Sequence, residues 1–432
     1  MELLKQKAEQ ALQALKNEGA DMASCDVGYS VTHEFNVDGG EFSLFRTLFD
    51  KHLIMTAICE GKRGTVRQNR YDEETVATLA KSCLETASSS VPDGAWDMAP
   101  MVGNRDFSFG TPVSDNDKLF ARCKELMAAI KERYPKILME QMIVSHKEIL
   151  SVYANTKGAV YGEHGGYYEV GLMFSGHDGD KSSSFFGCGF TAYDLDRPFI
   201  ECATVAKDLS DVEKQIDTET VTGKFEGVAL LPPSALSAFL YYLLSNFAGD
   251  GAILQGTSPW KDKLGQQVAD KRITVSSSPL DPCIVNGERV TDDGFPSENY
   301  DVICDGVLSQ FMLGLYVANK TGLKRAPNST MSLVMTEGDV SLDDMIKGIE
   351  RGIVVGRFSG GEPSSNGDFS GVAKNSFLIE NGKITKALSE TMISGNLADM
   401  MNNLVAISKE RVEDGASVLP YAAFGGITIS GK

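Results

Sequence analysis

The sequence predicts a mixed α+β protein: an N-terminal α/β half with a mixed sheet and two amphipathic helices, then a C-terminal β-rich domain of hairpins with a few helices. Three observations carry this. In the first half, apolar residues recur at helical spacing in stretches that alternate with strand-like runs. In the second half, Asn286-Gly287, Asp305-Gly306 and Asn381-Gly382 sit between apolar runs, and such dipeptides suit two-residue hairpins because both central residues take φ > 0. At 432 residues the chain is long for one core, which points to two or three domains.

The opening MELLKQKAEQALQALKNEG places Leu4, Ala8, Ala11, Leu12 and Leu15 on one helical stripe. Residues 29–35 and 44–58 carry strand-like patches. A helix enters at Asp72, a good capping residue, with Val76, Leu79, Ala80, Cys83 and Leu84 inward. Residues 88–114, rich in Ser, Pro and Gly, suggest a long crossing loop. A further helix runs from about Asp117 to Pro135, with Leu119, Cys123, Leu126, Met127 and Ile130 on one face. β-Formers then cluster at 137–144, 147–153, 168–175 and 183–193. The polar stretch 206–219 suggests a boundary. The expected domains are therefore 1–219, itself divisible near 88–114, and 220–432.

Past the boundary, a helix over 234–248 follows Pro232-Pro233, contains no charged side chain, and ends in Gly249-Asp250-Gly251. Ser341 and Asp344 form an S-x-x-D capping box for a short helix that buries Ile346 and Ile349. A last helix is expected over 397–407, with Leu397, Met400, Met401, Leu404 and Ile407 on one face.

The formal net charge of −18 repels a phosphate backbone, and Lys62-Arg63 and Lys324-Arg325 are isolated pairs, so direct nucleic-acid binding is not expected. No apolar run is long enough to span a bilayer, and the opening helix lacks the apolar core of a signal peptide. Cys25, Cys59, Cys83, Cys123, Cys188, Cys202, Cys283 and Cys304 are scattered without a C-x-x-C pair. That pattern suits buried thiols in a reducing cytoplasm, the expected location.

His33-Glu34 has no second histidine one turn on, so H-E-x-x-H is absent. His33, His52 and His146 fall on expected strands and suit structural roles. Glu163-His164 and His177-Asp178 flank one strand, which at ~3.3 Å per residue holds them tens of ångströms apart. Neither a phosphate loop nor a G-x-S-x-G elbow occurs. The distinctive stretch is GRFSGGEPSSNGDFSGVAKNSFLIENGKI, residues 356–384. Within it Asn366, Gly367, Asp368, Phe369 and Ser370 set one acid among small residues, as in an elaborate turn or a loop that orients a substrate.

These residues, with FLIENGKI at 377–384 and Ile393-Ser394-Gly395-Asn396, resemble the C-terminal domain of the TldD/PmbA family. Gly256-Thr257-Ser258-Pro259-Trp260, LGQQVA at 264–269, Asp292-Asp293-Gly294 and Tyr300-Asp301-Val302 extend the likeness, which is strong over 220–431 and weak before it. The resemblance implies one of two subunit types. TldD-type chains hold zinc with H-E-x-x-x-H on a helix and a later cysteine, and PmbA (TldE) chains lack those ligands. Here the positions matching the zinc helix are Tyr241, Tyr242 and Asn246, residues 412–416 stand where the cysteine falls, and no Cys follows Cys304. Imidazole or thiolate is the usual zinc donor, so the chain resembles the PmbA type. No catalytic residue and no metal ligand is then expected in this chain, and zinc is expected only in a TldD-type partner.

The resemblance implies a non-catalytic subunit of a cytoplasmic metalloprotease, paired with a TldD-type subunit as a heterodimer and acting on unfolded or short peptides. It also brings the label modulator of DNA gyrase, which need not mean DNA contact. Two other readings stay open. One is a stand-alone homodimer that binds peptides without cleaving them. The other is a hydrolase using different residues, such as Asp368 or the Glu163-His164 pair.

Overall fold

The structure, a computed structural model, describes residues 1–431. Helix α1 (Glu2–Asn17) leads into β1 (Met22–Asp38), β2 (Glu41–Cys59) and β3 (Lys62–Gln68). After α2 (Glu73–Ser88) come β4 (Arg105–Gly110), α3 (Asn116–Arg133), β5 (Ile137–Asn155) and β6 (Val160–Asp178). The short β7 (Lys181–Ser182), β8 (Phe186–Ala192) and α4 (Val205–Lys214) complete this half. Its strands form one eight-stranded sheet in the order β3-β2-β1-β5-β6-β4, with β7 and β8 also on β6. The sheet is mixed because β4 runs parallel to β6 while its other pairs are antiparallel.

Four strands of 17–19 residues carry this sheet, against a common strand length of about 5–6. β1, β5 and β6 reach two cores, whereas β2 contributes to the first only. At one end α1 and α2 press Leu4, Leu15, Leu79 and Cys83 onto Cys25, Val27, Leu53 and Met55. At the other, α3 and α4 press Leu126, Ile130 and Leu209 onto Val144, Val170 and Phe174.

One margin of the sheet stays bare. β3 pairs with β2 only over Leu53–Cys59, so among the described residues no strand covers the outer edge of β2 from Glu41 to His52. Phe42, Leu44, Phe45, Leu48 and Phe49 on that edge are all exposed, Phe49 to 76%.

The second half opens with β9 (Lys224–Leu231), α5 (Pro233–Phe247) and α6 (Asp250–Leu254). It continues through β10 (Val275–Ser277), β11 (Tyr300–Cys304), β12 (Val307–Leu308), α7 (Leu315–Thr321), β13 (Leu333–Met335), α8 (Leu342–Lys347) and β14 (Arg351–Val354). Then follow β15 (Arg357–Ser359), β16 (Asp368–Lys374), β17 (Ser376–Glu380), β18 (Lys383–Leu388), β19 (Thr391–Asn396), α9 (Leu397–Asn402), β20 (Leu404–Glu413) and β21 (Val418–Ser430). Thirteen strands form one sheet whose centre is β21, hydrogen-bonded to β9, β13, β19 and β20. Its larger core lies under α5 and its smaller one under α8.

Several expected elements take a different form. Residues 88–114 are not all loop, because Arg105–Gly110 adds β4 to the sheet. The runs at 137–144 and 147–153 are one strand: Ser145 and His146, which looked like a break, keep register opposite Glu34 and His33. The polar stretch 206–219 is mostly α4, which buries only the stripe Val205, Leu209 and Val212. Asn286-Gly287 joins no two strands; Gly287 packs its bare Cα against the Pro279 carbonyl instead. The other two dipeptides do turn hairpins, with φ of 49° and 77° at Asp305 and Gly306 and 50° and 74° at Asn381 and Gly382. In the Ser341 helix, Met345 and Ile349 are buried while Ile346 is only partly so. The last helix stops at Asn402, and Leu404 and Ile407 belong to β20, their apolar spacing there serving a bulged strand.

Candidate functional site

Helix α5 is where the expected site residues converge. Pro233 sits in its first turn, where a missing N–H costs nothing. Leu236, Phe239, Leu240, Leu243, Leu244 and Phe247 are buried at helical spacing, and the stripe through Ser234, Ala238 and Tyr241 faces outward. The absence of charge conceals an amphipathic helix whose outer face is neutral. Its end is satisfied from the Gly-Thr-Ser element: the Ser258 hydroxyl donates to the Phe247 carbonyl at 2.5 Å and accepts from the Trp260 N–H at 3.0 Å. Trp260 then meets the Phe247 ring edge-on at 5.1 Å.

Of the three positions expected from the sequence to match a zinc helix, Tyr241 is 55% exposed and touches Tyr242 edge-on at 5.9 Å between centroids. Tyr242 is half-buried against the larger core. Asn246 turns its amide to the carbonyls of Pro363 (3.3 Å) and Ser364 (3.5 Å). The helix and the loop singled out from sequence are therefore neighbours. Gly367, at φ +91°, lies so close to Phe247 that a Cβ there would stand 2.7 Å from its ring.

That loop is held by its own side chains. Asn366 donates to Asp368 at 2.9 Å, and Asn396 donates to Asp368 at 2.9 Å and to the Asn366 carbonyl at 3.0 Å. These bonds from Asn396 and Asn366 hold the exposed Asp368 carboxyl below its ordinary range. Phe369 is buried, edge-on to Phe239 at 5.3 Å, while Ser370 is exposed. Sequence reasoning saw Asn396 only as part of a motif. The small-residue loop spaced nearly thirty residues before it gave no local sign that the two would bond.

Zinc does not fit the donors on this helix. A phenol facing solvent and a carboxamide engaged by two carbonyls offer neither imidazole nor thiolate. Of residues 412–416, Val412 and Asp414 line a cavity beside Pro233 and Ser234 at the start of α5. The segment is held by the Thr191 N–H donating to the Asp414 carbonyl at 2.8 Å and the Val285 N–H to that of Gly415 at 2.7 Å, and it offers no thiol. Among the described residues no group of three or more His, Cys, Asp and Glu is placed to hold a metal.

Other catalytic arrangements fare no better. Glu163 and His164 are consecutive on β6 and point to opposite faces, His164 toward Glu148 at 3.4 Å. Ser175 and His177 do touch, at 2.8 Å, but Glu140 accepts from the serine hydroxyl and does not orient the imidazole through its far nitrogen. A base without an orienting group does not make a triad. Asp368 has two amides for company and no nucleophile.

The Asn246 contact can be tested on its own. Asn246→Ala removes one long-range amide donor and should lower stability by about 0.5–1.5 kcal/mol in urea denaturation. A loss within error of zero would mean that the 363–368 loop does not lean on α5.

Residues 225–431 match the family model described as the PmbA/TldA metallopeptidase C-terminal domain. The protein named Metalloprotease PmbA from Escherichia coli O157:H7 is 23% identical over 95% of this chain and 93% of its own length. Among solved structures, TldE from Thermococcus kodakarensis superposes with a TM-score of 0.87 at 20% identity, over 98% of this chain and 100% of that one. A Bacteroides thetaiotaomicron protein described as a proposed modulator of DNA gyrase gives a TM-score of 0.85 at 22% identity, over 99% of each chain. At those identities the two structures speak for the fold.

Proposed function

We propose, from the match of residues 225–431 to the PmbA/TldA metallopeptidase C-terminal domain, that the chain is the non-catalytic, PmbA-type subunit of a peptidase whose zinc is held by a TldD-type partner. The observation that carries this is the use made of α5. Where a zinc helix needs donors free to converge on one point, Asn246 fastens a loop and Tyr241 faces outward. Tyr241, Tyr242 and Asn246 offer neither imidazole nor thiolate to hold a Lewis acid and no carboxylate to act as a base toward a peptide carbonyl. The chain's own contribution is then to shape the assembly and hold substrate. The bare edge of β2 suits pairing with another subunit, since unsatisfied N–H and C=O groups beside exposed apolar side chains form a template for strand addition. The substrate in this reading is an unfolded or short peptide, which a sheet edge can bind in extended form, and the enzyme acts in the cytoplasm.

The test uses the full chain alone, the TldD-type chain of the same organism alone, and the two mixed. Zinc content and cleavage of an unstructured peptide are measured in each. Zinc and cleavage should appear in the mixture and never in this chain by itself. Chelator-sensitive cleavage by this chain alone would falsify the subunit reading. A mixture in which sedimentation finds only pairs of this chain, with cleavage no greater than the partner's own, would favour the stand-alone homodimer.

A further inference from the structure

Between the two halves, away from α5, a cavity of about 170 Å³ lies against the face of the first sheet. β1 and β6 supply Asp26, Tyr161 and Glu163, and the C-terminal half closes it with Val290, Thr291 and Asp292. It adjoins a larger space of about 450 Å³, with which it shares Ser24, Thr56, Tyr153 and Asp292. The larger space is lined by Asp97, Asp250 and Asp293 and by the stacked rings of Trp96 and Tyr316, 3.8 Å between centroids.

Some of these acids already have partners. Arg325 grips Asp293 at 2.7 and 2.9 Å, Lys157 pairs with Asp97, and His52 stands 3.2 Å from Asp26. Asp250 accepts from the Gly314 N–H. Glu163 and Asp292 are in no ion pair among the described residues, and no lysine or arginine lines the smaller cavity. Arg289, near enough to favour a charged Glu163, is itself stacked over Phe109 at 3.6 Å and donates to Gly287 and Tyr193. A second feature points the same way. Tyr161 is 0% exposed and lines the cavity, yet its hydroxyl has no hydrogen-bond partner. Buried polar groups are ordinarily paired, and such an orphan in a native fold calls for an explanation.

We propose that this interdomain cavity binds an aliphatic primary ammonium group, held by the Glu163 and Asp292 carboxylates and the Tyr161 hydroxyl. An ammonium fits this set because one nitrogen carries three donors and all three side chains accept. A metal ion does not, since no three carboxylates, thiols or imidazoles here are grouped around one point. Burial pushes Glu163 up to about 7, so an arriving cation would meet a carboxyl that becomes fully ionised on binding. The ammonium can come from a peptide, as an N-terminus or a lysine side chain, or from a free diamine. The inference does not depend on the subunit reading, because it concerns a cavity enclosed by this chain alone.

Calorimetry on the full chain tests it with four probes: 1,5-diaminopentane, the unacetylated dipeptide glycyl-alanine amide, N-acetyl-lysine methylamide, and N-acetyl-norleucine methylamide as a neutral isostere. At least one ammonium probe should bind at least about tenfold more tightly than the norleucine compound, and the tightest identifies the source. Glu163→Gln should weaken that probe about ten- to a hundredfold, as for loss of a charged hydrogen-bond partner, and Tyr161→Phe by a few-fold. Should Glu163→Gln fail to fold, Asp292→Asn serves instead with the same expected direction. Absence of ammonium binding, equal binding of the neutral isostere, or undiminished binding in the folded carboxylate variant each overturns the proposal. Peptidase activity of a mixed assembly plays no part in this readout, so the two readings can fail separately.

Discussion

Phe247→Ala should destabilise the C-terminal half by about 3–5 kcal/mol, the range for deleting a large aromatic from a packed core. The ring is 0% exposed, edge-on to Trp260, and pressed against Gly367. Its loss opens a void between the end of α5, the Gly-Thr-Ser element that follows it and the 363–368 loop, which is distant in sequence. None of the three can collapse freely into it. The Phe247 carbonyl is pinned by Ser258, and the loop is cross-linked by Asn366, Asp368 and Asn396. The control is Tyr241→Ala, six residues earlier on the exposed stripe, which should change stability by no more than about 0.5 kcal/mol. Urea denaturation of the two variants beside the parent decides it. Similar losses in both would mean that α5 is not seated by its inner face as described. If the ordering holds, the residue types left on the outer face answer to what the helix meets there, since folding makes little demand on them.

Much of the fold was legible because its signals are local. α1, α2 and α3 bury the residues that helical spacing assigns, with Leu12, Leu84 and Met127 only partly covered. Asp72 and Ser341 cap as their positions predict. The long strands were read in pieces because a strand of nearly twenty residues crosses two cores and an intervening region where polar side chains such as Ser145 and His146 are buried without breaking register. β4 was missed since its alternation, Phe107 and Phe109 between Asp106, Ser108 and Gly110, is only six residues long and sits within a Ser-, Pro- and Gly-rich stretch. At the site, sequence named α5 and the Asn366–Ser370 loop separately, and only the tertiary fold brings Asn246 onto Pro363 and Ser364. The cavity between the halves was not legible as such: the sequence marked Glu163 only beside His164 and Asp292 only within Asp292-Asp293-Gly294, and the tertiary fold alone brings them to one space with Tyr161.

The largest effect on assembly is expected at the free margin of the first sheet. The double variant Leu48→Lys with Phe49→Lys should weaken association with the TldD-type subunit proposed above by about a hundredfold while leaving this chain's own stability within about 0.5 kcal/mol. The two positions are adjacent on β2 and so face opposite sides of the sheet, yet Leu48 is 43% and Phe49 76% exposed. Neither is needed to fill a core, so their apolar character has no folding rationale. Protein sheets commonly protect edges with lysine or proline, because an apolar, unpaired edge recruits other strands. This one instead presents five large apolar side chains over residues 42–49, a cluster beyond the scattered exposed residues normal for a monomer. Lysine at both positions restores the usual protection without altering backbone pairing to β1. Analytical ultracentrifugation of mixtures gives the affinity. Peptide cleavage by the mixture should fall in step at low concentration and recover as both chains are raised, since the variant changes occupancy and leaves the catalytic centre intact. Undiminished association would remove β2 from the interface, and lost cleavage that no concentration restores would place its role in holding substrate instead.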